Sequence, residues 1–201
     1  MKQVMLVIAL LSAFHISAQS FDFYALAGPA VSQIDGDRVG GYNKLGAIAG
    51  IGVAHSVTSD WQALMELEYV SKGKASYAEN SGATYTTALH YIQLPILAKY
   101  ELTHNIHVES GLSLAFLMSY QFYEDNEPIS SDPFQPLKFD FDWLLGATYT
   151  INEYWKVNLR FAYSILHMNE ISDTSYYRPN IWKHPLGKYN RTLTLAMQYW
   201  F

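Results

Sequence analysis

Alternate residues between Leu137 and Ile151 fall into two sets. Leu137, Phe139, Phe141, Trp143, Leu145, Ala147, Tyr149 and Ile151 are all apolar, whereas Lys138, Asp140, Asp142, Leu144, Gly146, Thr148 and Thr150 are almost all polar or small. A β-strand has a side-chain period of two, so this stretch predicts a strand with one apolar and one wet face. Two more follow. Trp155, Val157, Leu159, Phe161, Tyr163 and Ile165 alternate with Lys156, Asn158, Arg160, Ala162 and Ser164. Leu193, Leu195, Met197, Tyr199 and Phe201 alternate with Thr192, Thr194, Ala196 and Gln198.

The same rhythm predicts five earlier strands. The first covers about Phe21 to Val31, with Phe21, Phe23, Ala25 and Ala27 on one side. The second, about Tyr42 to His55, sets Leu45, Ala47, Ala49, Ile51 and Val53 against Lys44, Gly46, Gly50 and Gly52. The third, about Trp61 to Lys74, sets Trp61, Ala63, Met65, Leu67 and Tyr69 against Gln62, Glu66, Glu68, Lys72 and Lys74. In the fourth, about Thr87 to Glu101, Ile92, Leu94, Ile96, Ala98 and Tyr100 face out, and Tyr91, Gln93 and Lys99 face in. Pro95 cannot donate to a ladder, so a bulge or a missing bond is expected there. The fifth sets Ile106, Val108, Leu112, Leu114, Phe116, Met118, Tyr120 and Phe122 against His107, Glu109, Gly111, Ser113, Ala115, Ser119 and Gln121.

The connections alternate. Val57–Asp60, Leu102–Asn105 and Asn152–Glu153 are short; Gln33–Gly41, Ala75–Thr86, Tyr123–Pro136 and Asn169–Gly187 are long and polar. Several strands exceed the roughly 9–11 residues that cross a bilayer, and a closed sheet leaves no unpaired backbone in lipid. The fold predicted is an all-β, eight-stranded, antiparallel up-and-down transmembrane β-barrel. Short turns on the periplasmic side and four long outer loops suit that class, with both termini in the periplasm. Two aromatic belts are expected at the head-group levels. Trp61, Tyr100, Tyr149, Trp155, Tyr199 and Phe201 fall at the periplasmic ends, and Tyr69, Tyr120, Phe122 and Phe139 at the outer ends.

Composition agrees: half the residues are hydrophobic, but only 15% are charged, against roughly a quarter in soluble domains. Lys2, the apolar run Val4–Phe14 and Ser17-Ala18-Gln19 read as a signal peptide over residues 1–19, leaving a barrel domain over 20–201. Losing Lys2 takes the formal charge from −5 to −6, which argues against nucleic acid as a partner. With no cysteine, disulfides, thiolate metal sites and a thiol-linked lipid anchor are excluded.

Three segments carry a resemblance. Leu67-Glu68-Tyr69-Val70-Ser71-Lys72-Gly73, Tyr91-Ile92-Gln93-Leu94-Pro95-Ile96-Leu97-Ala98-Lys99-Tyr100 and the terminal Tyr199-Trp200-Phe201 resemble the PorT-like outer-membrane β-barrel family of Bacteroidetes. The resemblance spans the mature chain and implies the barrel fold. It also implies, as one role found in the family, participation in protein secretion across the outer membrane.

The inward rows carry Glu66, Glu68, Lys72, Lys99, Glu109, Asp140, Asp142, Lys156 and Arg160. An eight-stranded barrel has room inside only for side chains, and enclosed charges must pair, so a salt-bridge network filling the lumen is expected. A gated conduit or proton path is the alternative. Candidate chemistry elsewhere is thin. His104 and His107 fall on opposite strand faces, a poor metal pair. Ser110 with His90 or His167 could be drawn as a lipid-modifying site, but Ser110 belongs at the other membrane edge. No catalytic, cofactor or metal residue is therefore expected. The acidic Tyr123–Glu127 and Tyr-rich Ser172–Arg178 segments are the better recognition surfaces. The partners expected are outer-membrane lipid, the barrel-insertion machinery through the C-terminal strand, and an envelope protein.

Overall fold

The computed structural model describes residues 21–35, 41–77, 83–125, 127–129, 136–167 and 188–201. These form β1 (Phe21–Asp35), β2 (Lys44–Ser56), β3 (Trp61–Tyr77), β4 (Thr84–Thr103), β5 (Ile106–Glu124), the three-residue β6 (Glu127–Ile129), β7 (Phe139–Thr150), β8 (Trp155–Ser164) and β9 (Tyr189–Trp200). Eight of them close a ring in the order β4-β3-β2-β1-β9-β8-β7-β5, sealed where β4 pairs β5. Every pairing is antiparallel, and the first strand meets the last through Ala25↔Tyr199 and Val31↔Leu193. Closure satisfies the backbone of both terminal strands, which an open sheet would leave as edges. β6 stands outside the ring as a short hairpin on the far end of β5.

Burial inverts the pattern of a soluble protein. Leu45, Ile51, Met65, Leu67, Ile96, Leu114, Phe116, Trp143, Leu145, Leu159 and Leu195 are exposed, while Glu66, Glu68, Glu109, Asp140, Asp142 and Arg160 are buried. Scattered exposed apolar residues mean little, but whole rows of them covering a sheet mark a surface made for a nonaqueous medium. No helix among the described residues is long and apolar enough to cross a membrane; the eight ring strands, 10–20 residues long, are the elements that do.

The ladders depart from regular pairing at several places, one of them a shift between Glu101 and Thr103 beside the β4–β5 turn. Beside Pro95 the β3–β4 pairing stops after Met65↔Ile96 and resumes at Glu68↔Gln93 in the same register. The proline turns its missing donor toward β3 while Pro95↔Ser113 continues the other ladder. The missing-bond alternative is thus the one realised. Pro29 behaves likewise, interrupting β1–β9 between Ala27↔Met197 and Ala30↔Thr194. Another departure corrects an expectation. Pairing of β4 with β5 passes from Tyr91↔Leu117 to His90↔Ser119, leaving Met118 as an extra residue. A bulge of this kind resets which side chains face in beyond it. Phe122, read above as part of the outward row, is buried in the core cluster with Ile129 of β6 against it.

Two of the long loops are shorter than expected. β1 runs on to Asp35, β3 reaches Tyr77, and β4 starts at Thr84, so Ser76↔Tyr85 and Tyr77↔Thr84 extend that hairpin. Thr84-Tyr85-Thr86-Thr87 is rich in β-formers, and the ladder persists as long as partners remain. At Gly73 the backbone has φ +137°, and a Cβ there would collide with the Thr87 carbonyl oxygen. Only glycine accepts both conditions. The expected leader and the Ser172–Arg178 segment lie outside the described residues.

Candidate functional site

The lumen is organised around Arg160 in the middle of β8. Its Nη1 donates to Glu66 Oε2 at 2.6 Å and Glu68 Oε1 at 3.0 Å, its Nη2 to Glu66 Oε1 at 3.0 Å, and its Nε to Glu109 Oε1 at 2.8 Å. One guanidinium therefore holds carboxylates from β3 and β5 across the barrel. The planar fork, with donors on several sides, suits this better than a lysine would. A supporting shell occupies the remaining lone pairs. Asn158 Nδ2 donates to Glu109 Oε1 at 2.8 Å and to Thr148 Oγ1 at 3.0 Å, and Thr148 Oγ1 donates to Glu109 Oε2 at 3.3 Å. Gln93 Nε2 donates to Glu68 Oε2 at 2.5 Å, and the Tyr24 hydroxyl donates to Glu66.

A second layer lies toward the loop end. Lys72 pairs with Asp142 directly and stands 3.8 Å from Asp140. Ser164 Oγ donates to Asp140 at 2.7 Å and lies 3.2 Å from Asp142, and Asn190 Nδ2 donates to Asp140 at 2.7 Å. Burying an unpaired ion costs several kcal/mol, so the two layers explain why these inward rows can be charged at all. A third layer, toward the turn end, is aromatic. Tyr24 stacks on Trp200 with ring centroids 4.5 Å apart, and Lys99 and Lys156 place their ammoniums 5.0 Å and 3.5 Å from the Trp200 centroid.

Of the inward charges singled out from sequence, Glu66, Glu68, Glu109, Arg160 and Lys72, Asp140, Asp142 gather into the first two layers. Lys99 is buried but joins neither, and Lys156 is half-buried at the turn end. The lumen also holds Tyr24, Gln93, Asn158, Ser164, Asn190 and Trp200, none of which the reading of charges picked out. The signal was present: each has the same parity as a polar or charged neighbour on its strand, as Trp200 has with Gln198. Apolar side chains share the interior as well, including Leu26, Ile48, Leu64, Leu97 and Leu144.

The outer wall carries the aromatics in two groups. At the turn end Trp61 and Tyr100 lie 4.9 Å apart, Trp155 and Tyr199 5.0 Å, and Tyr199 and Phe201 5.3 Å, with Tyr149 exposed beside them. Toward the loop end Tyr69 is exposed, its hydroxyl contacts His90 Nδ1 at 2.6 Å, and Phe116 and Phe139 lie 5.4 Å apart. Tyr120 is exposed too, but beyond the bulge it pairs with buried Leu89 and shares the parity of Phe122, off the outward row where it was expected. Ser110 is not near that histidine. Its Oγ donates to the Leu144 carbonyl at 3.0 Å and accepts from Trp143 Nε1 at 3.2 Å. No nucleophile–base pair forms between them. His107 is mostly buried, with Nε2 3.9 Å from Glu101, while His104 is exposed in the turn.

The acidic segment after β5 has structural work to do. Asp125 sits at φ 50° in the β5–β6 turn, a left-handed position that aspartate tolerates better than most residues. Its Oδ1 accepts from Thr84 N at 2.7 Å, and Glu124 Oε1 accepts from the Tyr85 hydroxyl at 2.7 Å. Two of the carboxylates expected to face a partner therefore fasten the start of β4.

A closed ring of eight antiparallel strands, apolar outside and filled by ion pairs inside, defines a transmembrane β-barrel. The chain belongs to the family described as outer membrane protein beta-barrel domain, whose model matches residues 5–170, and its place is the outer membrane. No curated protein matches the sequence. Among solved structures it is similar to Neisserial surface protein A (NspA), at 12% identity and a TM-score of 0.58 over 91% of this chain and 100% of that one. It is similar too to Ail, the attachment invasion locus protein of Yersinia pestis, at 10% identity and a TM-score of 0.52 over 90% of this chain and 98% of that one.

Proposed function

We propose that the protein works as a structural or interaction component of the outer membrane, without catalysis and without a conduit. The observation that carries this reading is the Arg160 cluster. It joins side chains of β1, β3, β4, β5, β7 and β8 across one cross-section, so activity falls to the two rims. The loop rim is uneven, because β3, β4, β5 and β6 project past the ends of β7 and β8, and this raised wall offers the larger contact face. In this reading the short turns and both termini are periplasmic, the two aromatic groups mark the bilayer interfaces, and the C-terminal strand engages the insertion machinery. The segments around Tyr91–Tyr100 and Leu67–Gly73 favour a PorT-like assignment, and with it a role as an accessory of protein secretion.

The test is affinity isolation from intact outer membrane with a tag inserted at residues 78–82. Whole cells should expose the tag without permeabilisation, and an envelope protein should co-purify in stoichiometric amount. Recovery of the barrel alone after crosslinking would refute the interaction role, and secretion components among the partners would select the accessory role. Ion conductance through the purified barrel in a planar bilayer would contradict the sealed lumen.

A further inference from the structure

Lys99 is the anomaly of the interior. Its side chain is 1% exposed, yet Nζ has no hydrogen-bond partner. Glu109, its cross-strand neighbour, has turned away, with its two oxygens taken by Arg160, Asn158 and Thr148. Contact with the face of Trp200 returns only part of what desolvating an ammonium costs. Two more donors surround the same indole. Gln198 is fully buried; its Oε1 accepts from Trp200 Nε1 at 3.3 Å, while its Nε2 has no acceptor. Lys156, paired across the strands with Gln198, holds its ammonium 3.5 Å from the centroid. Among the described residues no carboxylate comes within ion-pair distance of either lysine.

We infer that the turn-end mouth of the barrel, between Lys99, Gln198 and Lys156 around Trp200, is a binding site for a small oxyanion of the phosphate or carboxylate class. Three donors share one indole and no hydrogen-bond acceptor is paired with the Lys99 ammonium or the Gln198 amide N–H, whereas every charged group in the two deeper layers has a partner of opposite sign. A tetrahedral or planar oxyanion accepts from several donors at once, and charge-assisted bonds of this kind are the strong ones. Half-buried Lys156 connects the site to solvent, and the Arg160 carboxylates behind it stop an anion from moving further in. The site is independent of which membrane side the turns occupy.

The experiment is a titration of the folded protein in detergent micelles with inorganic phosphate and, separately, acetate, at constant ionic strength set with sodium chloride. The readout is the indole N–H resonance of Trp200, assigned by its loss in Trp200→Phe. A saturable shift is expected, with half-saturation in the range of about a millimolar. Lys99→Met should weaken it at least about tenfold, and Lys156→Met, at the more exposed position, by a smaller factor. Folding of each variant is checked by heat-modifiable migration on electrophoresis. If Lys99→Met does not fold, Gln198→Leu takes its place, again with weakened binding expected. No saturable shift with either anion would overturn the inference and leave water as the partner of Lys99. So would titrations unchanged in the variants that fold.

Discussion

Replacing Arg160 with methionine removes one cation and leaves three carboxylates. Arg160 is 3% exposed, and its guanidinium makes four contacts of 2.6–3.0 Å to Glu66, Glu68 and Glu109. At such separations a single opposite pair attracts by about 6 kcal/mol at an effective dielectric of 20, and most of that only offsets desolvation. The measurable quantity is the cost of orphaning the partners, about 3–5 kcal/mol for one broken buried pair. With three carboxylates released together, Arg160→Met should fall at or beyond the upper end. Adding Glu66→Gln and Glu109→Gln removes two of the three uncompensated charges, and the triple variant should regain more than half of the loss. Equilibrium urea unfolding in phospholipid vesicles, followed by tryptophan fluorescence, gives the midpoints from which these differences are read. If Arg160→Met stays within about 1 kcal/mol of the parent, or the triple variant is no better than the single, the lumen is not held by this network.

Three further perturbations probe other parts of the account. Leu114→Arg puts a charge on the outward row and should destabilise the barrel in vesicles by about 2–4 kcal/mol if that row lies near the bilayer midplane; an unchanged midpoint would contradict it. Gly52→Ala drives a methyl group into the Tyr24 ring. It should loosen both the Glu66 contact and the Trp200 stack, costing about 1–3 kcal/mol and altering Trp200 emission, with an unaltered spectrum as the contrary result. Asp125→Ala removes the latch on Thr84; hydrogen exchange at the Thr84 and Tyr85 amides should quicken while global stability moves by no more than about 1 kcal/mol. Equal protection in both proteins would deny the latch.

Alternation alone disclosed most of the architecture, because in a barrel wall the side-chain period, the facing and the solvent are one variable. Phe139, Trp143 and Leu145 on one parity and Asp140 and Asp142 on the other leave little freedom once the sheet is closed. What alternation could not supply was anything set by the third dimension. Arg160 meets Glu66 across 94 residues of chain, a pairing fixed by strand stagger that no local pattern encodes. The bulge at Met118 shifts the phase of β5 without any proline or glycine at that residue to announce it, and so misplaced Phe122. Trp200 counted only as a terminal aromatic, although its parity with Gln198 puts it inside. The Tyr123–Asp125 segment read as a free acidic loop because a carboxylate that fastens a neighbouring strand looks the same in sequence as one facing solvent.

The apolar row of each strand should meet acyl chains while the charged row is sealed within. The chain has no cysteine, so single cysteines can be placed along β5 and β7, labelled with a fluorophore, and refolded in vesicles containing brominated lipid. Quenching should alternate, strong at Leu112, Leu114, Trp143 and Leu145 and weak at Ser113, Ala115, Leu144 and Thr148. Strong quenching on the second row, or equal quenching on both, would contradict the account.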